Sequence, residues 1–394
     1  MAIRGLKVAL VALVAAVAIG AAGHEAAGDY DIETTGSVWP SHAADGDWRV
    51  VDPSSSEDAE FYVGQAFQQA AAVDVTNGAT LTTPERVWLA CTVAATATVR
   101  VNGAAWVAED HVGVGNGALT RAAIEVTDGT WSVAGSCYVG ADSNSSGAVR
   151  LAGTAQWTSE FQVHVGHYGA GEVNVGANAS WVSEDRVNVG FFANSTGTVN
   201  LNGGDWTSQG TLQVGHLAGG AVHVNAGSTL ICAGRLDLTD VGELALDGGL
   251  LRLAGGAGLL GDVGAGAGGG TLRVEVGSAT PDADLCVLGQ PVDLTGCTVE
   301  AAFEAGFTPG ASDSFNLFDP AGGADLSALL SAADSITTPV DWRLDLPTGV
   351  MTYVPEPAGV ALLLAGAWAV LRRRRAAGRA DGRDTCRQDD GETS

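Results

Sequence analysis

His164 and His167, with Val165 and Gly166 between them, stand nearest to a metal-binding pair in this sequence. Two imidazoles share an ion only when both rings reach the same side of the chain. In an extended strand, residues three apart face opposite ways, so this pair is expected not to chelate. His167 and His216 occupy equivalent places two repeats apart, with Phe191 between, and are expected to be surface histidines of a ladder. No D-x-[DN]-x-[DN]-G loop and no G-G-x-G-x-D repeat offers calcium a cradle. Neither a metal nor a cofactor is expected.

Acid–base chemistry has little to work with. A polysaccharide lyase needs a cation to neutralise a sugar carboxylate and a base to take the adjacent proton. The only lysine is Lys7, at the extreme N-terminus, so arginine would have to fill both roles. The arginines are scattered, about one per repeat, on different segments. Glycoside hydrolysis needs two acids within ~10 Å in a groove. Glu109-Asp110, Glu160 and Glu184-Asp185 fall at similar places and could stack into an acidic ridge, but nothing near them marks a cleft. No G-x-S-x-G occurs. The chain is expected not to be an enzyme; a β-helical polysaccharide lyase or glycoside hydrolase is the alternative.

Aromatic and sulfur-bearing residues complete the inventory. Tyr62, Trp88 and Tyr138 are expected to face outward and are the candidates for a ligand-binding face. Trp106, Trp131, Trp157, Trp181 and Trp206 could form an exposed strip or an internal ladder. Their small or polar neighbours favour the inside. Six cysteines form no C-x-x-C, and Cys286 with Cys297 are the best candidates for a disulfide.

The elements that must position these residues repeat. Val-Gly recurs at Val63-Gly64, Val114-Gly115, Val139-Gly140, Val165-Gly166, Val189-Gly190 and Val214-Gly215, with Leu89-Ala90 and Leu238-Thr239 as degenerate copies, in steps of 24 to 26 residues. Each copy contains two short segments of period-two alternation, for example Val112/Val114 and Ile124/Val126, which reads as strands with one buried face. Gly at 56 residues, about twice the usual share, supplies the turns. Outward positions of the second strand run Asp74, Arg100, Glu125, Arg150, Asn174, Asn200. If copies stack in register, ~4.8 Å apart, each of the first four charges meets its opposite, and Asn174 beside Asn200 makes an amide ladder. The expected fold is all-β, a single-stranded parallel β-helix or solenoid of coils about 25 residues long. Its repeats resemble those of β-helical autotransporter passengers.

Both ends read as addresses. Arg4 and Lys7 precede the apolar run Val8–Ile19 and the small residues Gly20 to Gly23, which is a secretory signal peptide. At the other end Pro355-Glu356-Pro357 precedes an apolar run to Leu371 and then Arg372, Arg373, Arg374 and Arg375. Allowing the arginines to snorkel, this is near the length of a transmembrane helix, with the arginines on the cytoplasmic side. That ordered triplet resembles the PEP-CTERM sorting signal. The resemblance implies recognition by an exosortase-type processing enzyme and a surface or extracellular-matrix protein associated with exopolysaccharide.

The expected organisation is signal peptide 1–23, N-terminal cap or first coil 24–55, solenoid 56–250, irregular β continuation and C-terminal cap 251–353, sorting signal 354–375 and polar tail 376–394. A net charge of −26 with so few cations argues against nucleic acid as a partner. The expected function is that of an exported structural or adhesin-like rod, membrane-anchored through its C-terminus and then at the cell surface, with surface glycans as candidate partners.

Overall fold

Short runs of β-branched residues bounded by glycine cannot bury two faces alone, so they must be stacked on copies of themselves. The computed structural model of the chain does this. It describes residues 32–35, 38–39, 43–44, 48–50, 60–239, 241–254, 257–259, 262–265, 269–276, 286–288, 292–310, 313–320 and 325–354. The signal peptide, the sorting motif of Pro355, Glu356 and Pro357 with Arg372 to Arg375, and the polar tail lie outside the described residues. Among the described residues no helix is long and apolar enough to cross a membrane.

Nine complete coils run from Phe61 to Val276, and each contributes one strand to each of three parallel sheets. The first sheet holds three-residue strands such as Val112–Val114 and Cys137–Val139. Longer strands such as Arg121–Thr127 and Ser146–Ala152 make the second sheet. The third is built from four-residue strands such as Ala105–Ala108 and Thr130–Val133. At ~4.8 Å per coil the rod is about 40 Å long. The ninth coil, Ala257–Leu259 with Asp262–Ala265 and Gly270–Val276, continues the stack into the segment expected to be irregular.

The sequence reading found two strands per copy and made Trp the inward residue of a third side; that side is a third strand. In it the inward positions alternate Trp with a small or polar residue, as in Trp157/Ser159 and Trp181/Ser183. The buried set is therefore not uniformly apolar, and the period-two signal is lost. All five tryptophans are at most 1 % exposed. Their rings stack through the core at 5.4, 4.6, 4.4 and 4.2 Å. The valine and leucine pairs of the other two walls, Val163/Val165 and Val173/Val175 among them, pack against this stack.

Most corners after the first strand carry a left-handed residue. Gly115, Gly140, Gly166, Gly190 and Gly215 have φ between 70° and 77°. At Gly166 a Cβ would lie only 2.2 Å from the Thr196 carbonyl oxygen of the next coil. Close stacking and backbone sign thus make the same demand. The degenerate copy places Ala90 at φ 56°.

The two ends of the stack are closed differently. At the N-terminal end Ile32–Thr35 pairs antiparallel with Ala70–Val75, and Val38–Trp39 with Phe61–Val63, while Trp48–Arg49 extends the third sheet in parallel beside Thr80–Thr83. Beyond the ninth coil the first sheet adds Cys286–Leu288 and Phe318–Pro320, and the third adds Cys297–Phe303 and Ser335–Thr337. An antiparallel sheet of Ser314–Asn316, Val350–Tyr353 and Trp342–Asp345 lies at this end. Phe303, Phe307, Phe315 and Trp342 cluster there with ring centroids 5.1–5.9 Å apart. Buried Glu275 is held by Arg252 at 2.5 Å and Arg273 at 3.0 Å, tying the eighth coil to the ninth.

The expected disulfide is absent. Cys286 and Cys297 are free, buried thiols. Cys286 opens a strand of the first sheet and Cys297 a strand of the third, so the two begin different walls of the rod. Burial pushes the Cys286 thiol up to about 12 and raises Cys297 as well.

Candidate ligand-binding surface

Each wall of the rod presents an outward column, and register decides what each column holds. On the second sheet Asp74, Arg100, Glu125, Arg150, Asn174 and Asn200 are successive Cα partners. Arg100 lies 3.1 Å from Asp74 and 3.4 Å from Glu125, and Arg150 lies 3.5 Å from Glu125. Asn200 Nδ2 donates to Asn174 Oδ1 at 3.0 Å. A second amide pair runs beside it, with Asn225 Nδ2 donating to Asn202 Oδ1 at 2.8 Å. These charges are half-exposed and mutually satisfied, so the wall offers a ligand little unspent polarity.

The corner acids Glu109 and Asp110 are likewise engaged. Glu109 is bridged to Arg49 of the N-terminal segment at 2.9 Å, and Asp110 approaches His111 at 2.6 Å and Arg86 at 3.8 Å. Among the described residues no three His, Cys, Asp or Glu side chains gather into a metal-binding group.

The first sheet is different. Its outward register runs Tyr62, Trp88, Gly113, Tyr138, His164, Asn188, of which His164 and Asn188 are buried. Gly113 belongs to the aromatic series although it has no side chain. A Cβ there would sit 2.5 Å from the Trp88 ring, so the indole lies over the backbone of the next coil. Tyr138 then stacks on His164 at 5.4 Å and 14°. Tyr62 donates to Glu60, and that bond is the main reason its phenol is raised to about 12.

Around the adjacent corner the same beat places ring upon ring. His167, Phe191 and His216 stack at 6.0 and 5.1 Å, and Tyr168 lies on Phe192 at 4.1 Å and 3°. Six exposed apolar side chains follow this corner along the rod: Phe67, Val93, Leu119, Tyr168, Leu217 and Val241. The sequence reading placed His167, Phe191 and His216 in one ladder, as found here, but did not single out the Tyr168–Phe192 pair beside it, although its signal was present. Gly166-His167-Tyr168, Gly190-Phe191-Phe192 and Gly215-His216-Leu217 repeat at one register immediately after the left-handed glycine.

His164 and His167 do not face opposite ways, as alternation within one strand required. The strand ends at Val165 and Gly166 at φ 73° turns the chain back, which brings the two rings to 5.0 Å. Burial, then the charges of His167 and Arg186, pushes His164 down to about 3. Burial also lowers His167 against the opposing bond to the Ala141 carbonyl. Both imidazoles are therefore neutral at neutral pH. With His164 buried beside them, His167, Tyr138, Tyr168, Phe191 and Phe192 make a flat-ringed patch on an otherwise acidic rod. Such a patch suits apolar faces of a ligand, with hydroxyl and imidazole groups at its margins for hydrogen bonds.

No protein-family model and no curated protein sequence matches the chain. Among solved structures, the TibC-catalysed hyper-glycosylated fragment of TibA aligns with 74% of this chain and 96% of that one, at 13% identity and a TM-score of 0.27.

Proposed function

We propose that this protein is an exported, non-catalytic rod of the cell surface or extracellular matrix, sorted by an exosortase-type system and binding exopolysaccharide or other surface glycans through its aromatic wall. The observation that carries the reading is the column Tyr62, Trp88, Tyr138, continued around the corner by the Tyr168–Phe192 pair. Sugar rings present C–H faces that lie on aromatic rings, and their hydroxyls bond at the edges. The rod's negative charge disfavours acidic polymers, which directs the reading toward neutral glycans. Export and sorting rest on the two terminal sequences.

A glycan array and an exopolysaccharide pull-down with the purified chain test the binding. Trp88→Ala and Phe192→Ala should each weaken it up to about tenfold, the scale of one aromatic contact at ~0.5–1.5 kcal/mol. Arg150→Ala on the opposite wall should leave it unchanged. Absence of binding to any glycan would reduce the protein to a passive coat. New reducing ends or unsaturated products on incubation with polysaccharides would restore the enzymatic alternative. Replacing Arg372 to Arg375 by alanine should abolish processing at the membrane, read as retention of the full-length chain in the membrane fraction.

A further inference from the structure

We propose that His164 and His167 form a two-histidine chelate for a first-row divalent transition-metal ion, with Cu2+ bound most tightly. This site does not rest on the glycan reading, although Tyr138 borders both. The ring centroids are 5.0 Å apart at 67°. Two imidazole nitrogens each ~2.0–2.1 Å from one ion, at a tetrahedral angle, place their ring centroids about 5 Å apart. The pair already has that spacing.

The second observation concerns how each ring is held. Metal-bound imidazoles characteristically donate their other N–H to a carbonyl or carboxylate, which fixes the tautomer and the ring orientation. His167 Nδ1 lies 3.3 Å from the Ala141 carbonyl oxygen, which can only accept, so Nδ1 carries the hydrogen and Nε2 keeps its lone pair. His164 Nδ1 lies 3.4 Å from the Asn188 amide nitrogen. Asn188 is fully buried and its Oδ1 has no partner. Turning the amide by 180°, an exchange of ends nearly identical in size, sets that oxygen against His164 Nδ1–H. His164 Nε2 is then unprotonated too. The same number of amide atoms is bonded either way, so the tautomer of His164 decides the turn, and a metal at Nε2 selects this one.

The surroundings favour a borderline ion. Tyr138 packs on both rings, at 5.4 and 4.8 Å, and Phe191 meets His164 edge-on at 4.5 Å, giving an apolar wall around two nitrogen donors. Imidazole suits copper, nickel and zinc rather than calcium or magnesium, and affinity rises to Cu2+ along the divalent series. Two protein donors leave further positions open to water. The net charge of −26 raises the local concentration of any cation.

The test is calorimetric titration of the untagged full-length chain in detergent with CuCl2 and with ZnCl2, in a weakly coordinating buffer. His24→Ala and His42→Ala are included in the background to remove N-terminal chelation. The expected result is one saturable equivalent, tighter for Cu2+, whose electron paramagnetic resonance spectrum shows coupling to two imidazole nitrogens. His164→Ala and His167→Ala should each weaken binding at least tenfold, and Asn188→Ala about tenfold through the lost orienting bond. His216→Ala should have no effect. His167→Phe keeps the stack with Phe191 and serves if alanine disturbs the corner. Equal affinity in the double variant, one-nitrogen coupling, loss of binding in His216→Ala alone, or no saturable equivalent for either ion would overturn the proposal.

Discussion

At the scale of single residues the core is governed by where the indole N–H groups go. Trp106, Trp181 and Trp206 donate to Thr83, Ser159 and Ser183, each two positions after the inward residue of the preceding coil. At the equivalent places before Trp131 and Trp157 stand Ala108 and Val133, and those two N–H groups are buried without partners. An unsatisfied buried donor costs ~1–3 kcal/mol. Ala108→Ser and Val133→Thr should therefore raise stability by about 1 kcal/mol each, read as a higher urea midpoint with unchanged slope. Ser183→Ala should lower it by a similar or larger amount. A fall in both gain-of-hydroxyl variants would show that the tryptophans are satisfied another way. The inward direction of the tryptophans was legible from their small neighbours. The hydroxyl partners were not, because each bond joins residues 22 or 23 apart, and only the coil register reveals the pairing.

The individual coil is decided at its corners and its ladders. Gly166→Ala should be strongly destabilising, since its Cβ would collide with the Thr196 carbonyl while the backbone holds a left-handed φ. Ala90→Gly removes that penalty from the degenerate copy and should stabilise the rod by ~1 kcal/mol in thermal unfolding. Glu125→Arg would set three arginines in a row on the second sheet. Each exposed contact is worth ~0.2–1 kcal/mol, so the loss should be about 1 kcal/mol at low salt and should shrink in 1 M NaCl. An equal loss at both salt concentrations would mean packing, rather than charge, sets that wall. The charge ladder could be read from sequence because strand alternation carries straight into stacking. The third side was legible only through its inward tryptophans and not as a strand, since Ser and Thr at its other inward positions imitate an exposed face. The histidine corner failed for a related reason: alternation was extended past Val165, where the glycine had already reversed the chain.

For the whole molecule, three walls of different character follow from one repeat. The second sheet is charged and self-paired, the first aromatic, and the outward centre of the third runs Thr82, Val107, Ser132, Thr158, Val182, Thr207 without a charge. That uncharged column is the natural place to measure the rod, because labels there disturb neither ladder nor aromatic strip. The surfaces proposed depend on successive coils lying directly upon one another. Nitroxide pairs at Thr82/Val182, Thr82/Thr207 and Thr82/Ile231, placed through cysteine in a Cys91→Ser, Cys386→Ser background, test this by pulsed electron–electron resonance. In-register stacking predicts mean separations of about 19, 24 and 29 Å, an increment of ~4.8 Å per coil. Separations that fail to grow by one strand spacing per repeat would contradict the solenoid, and the surfaces assigned to its walls with it.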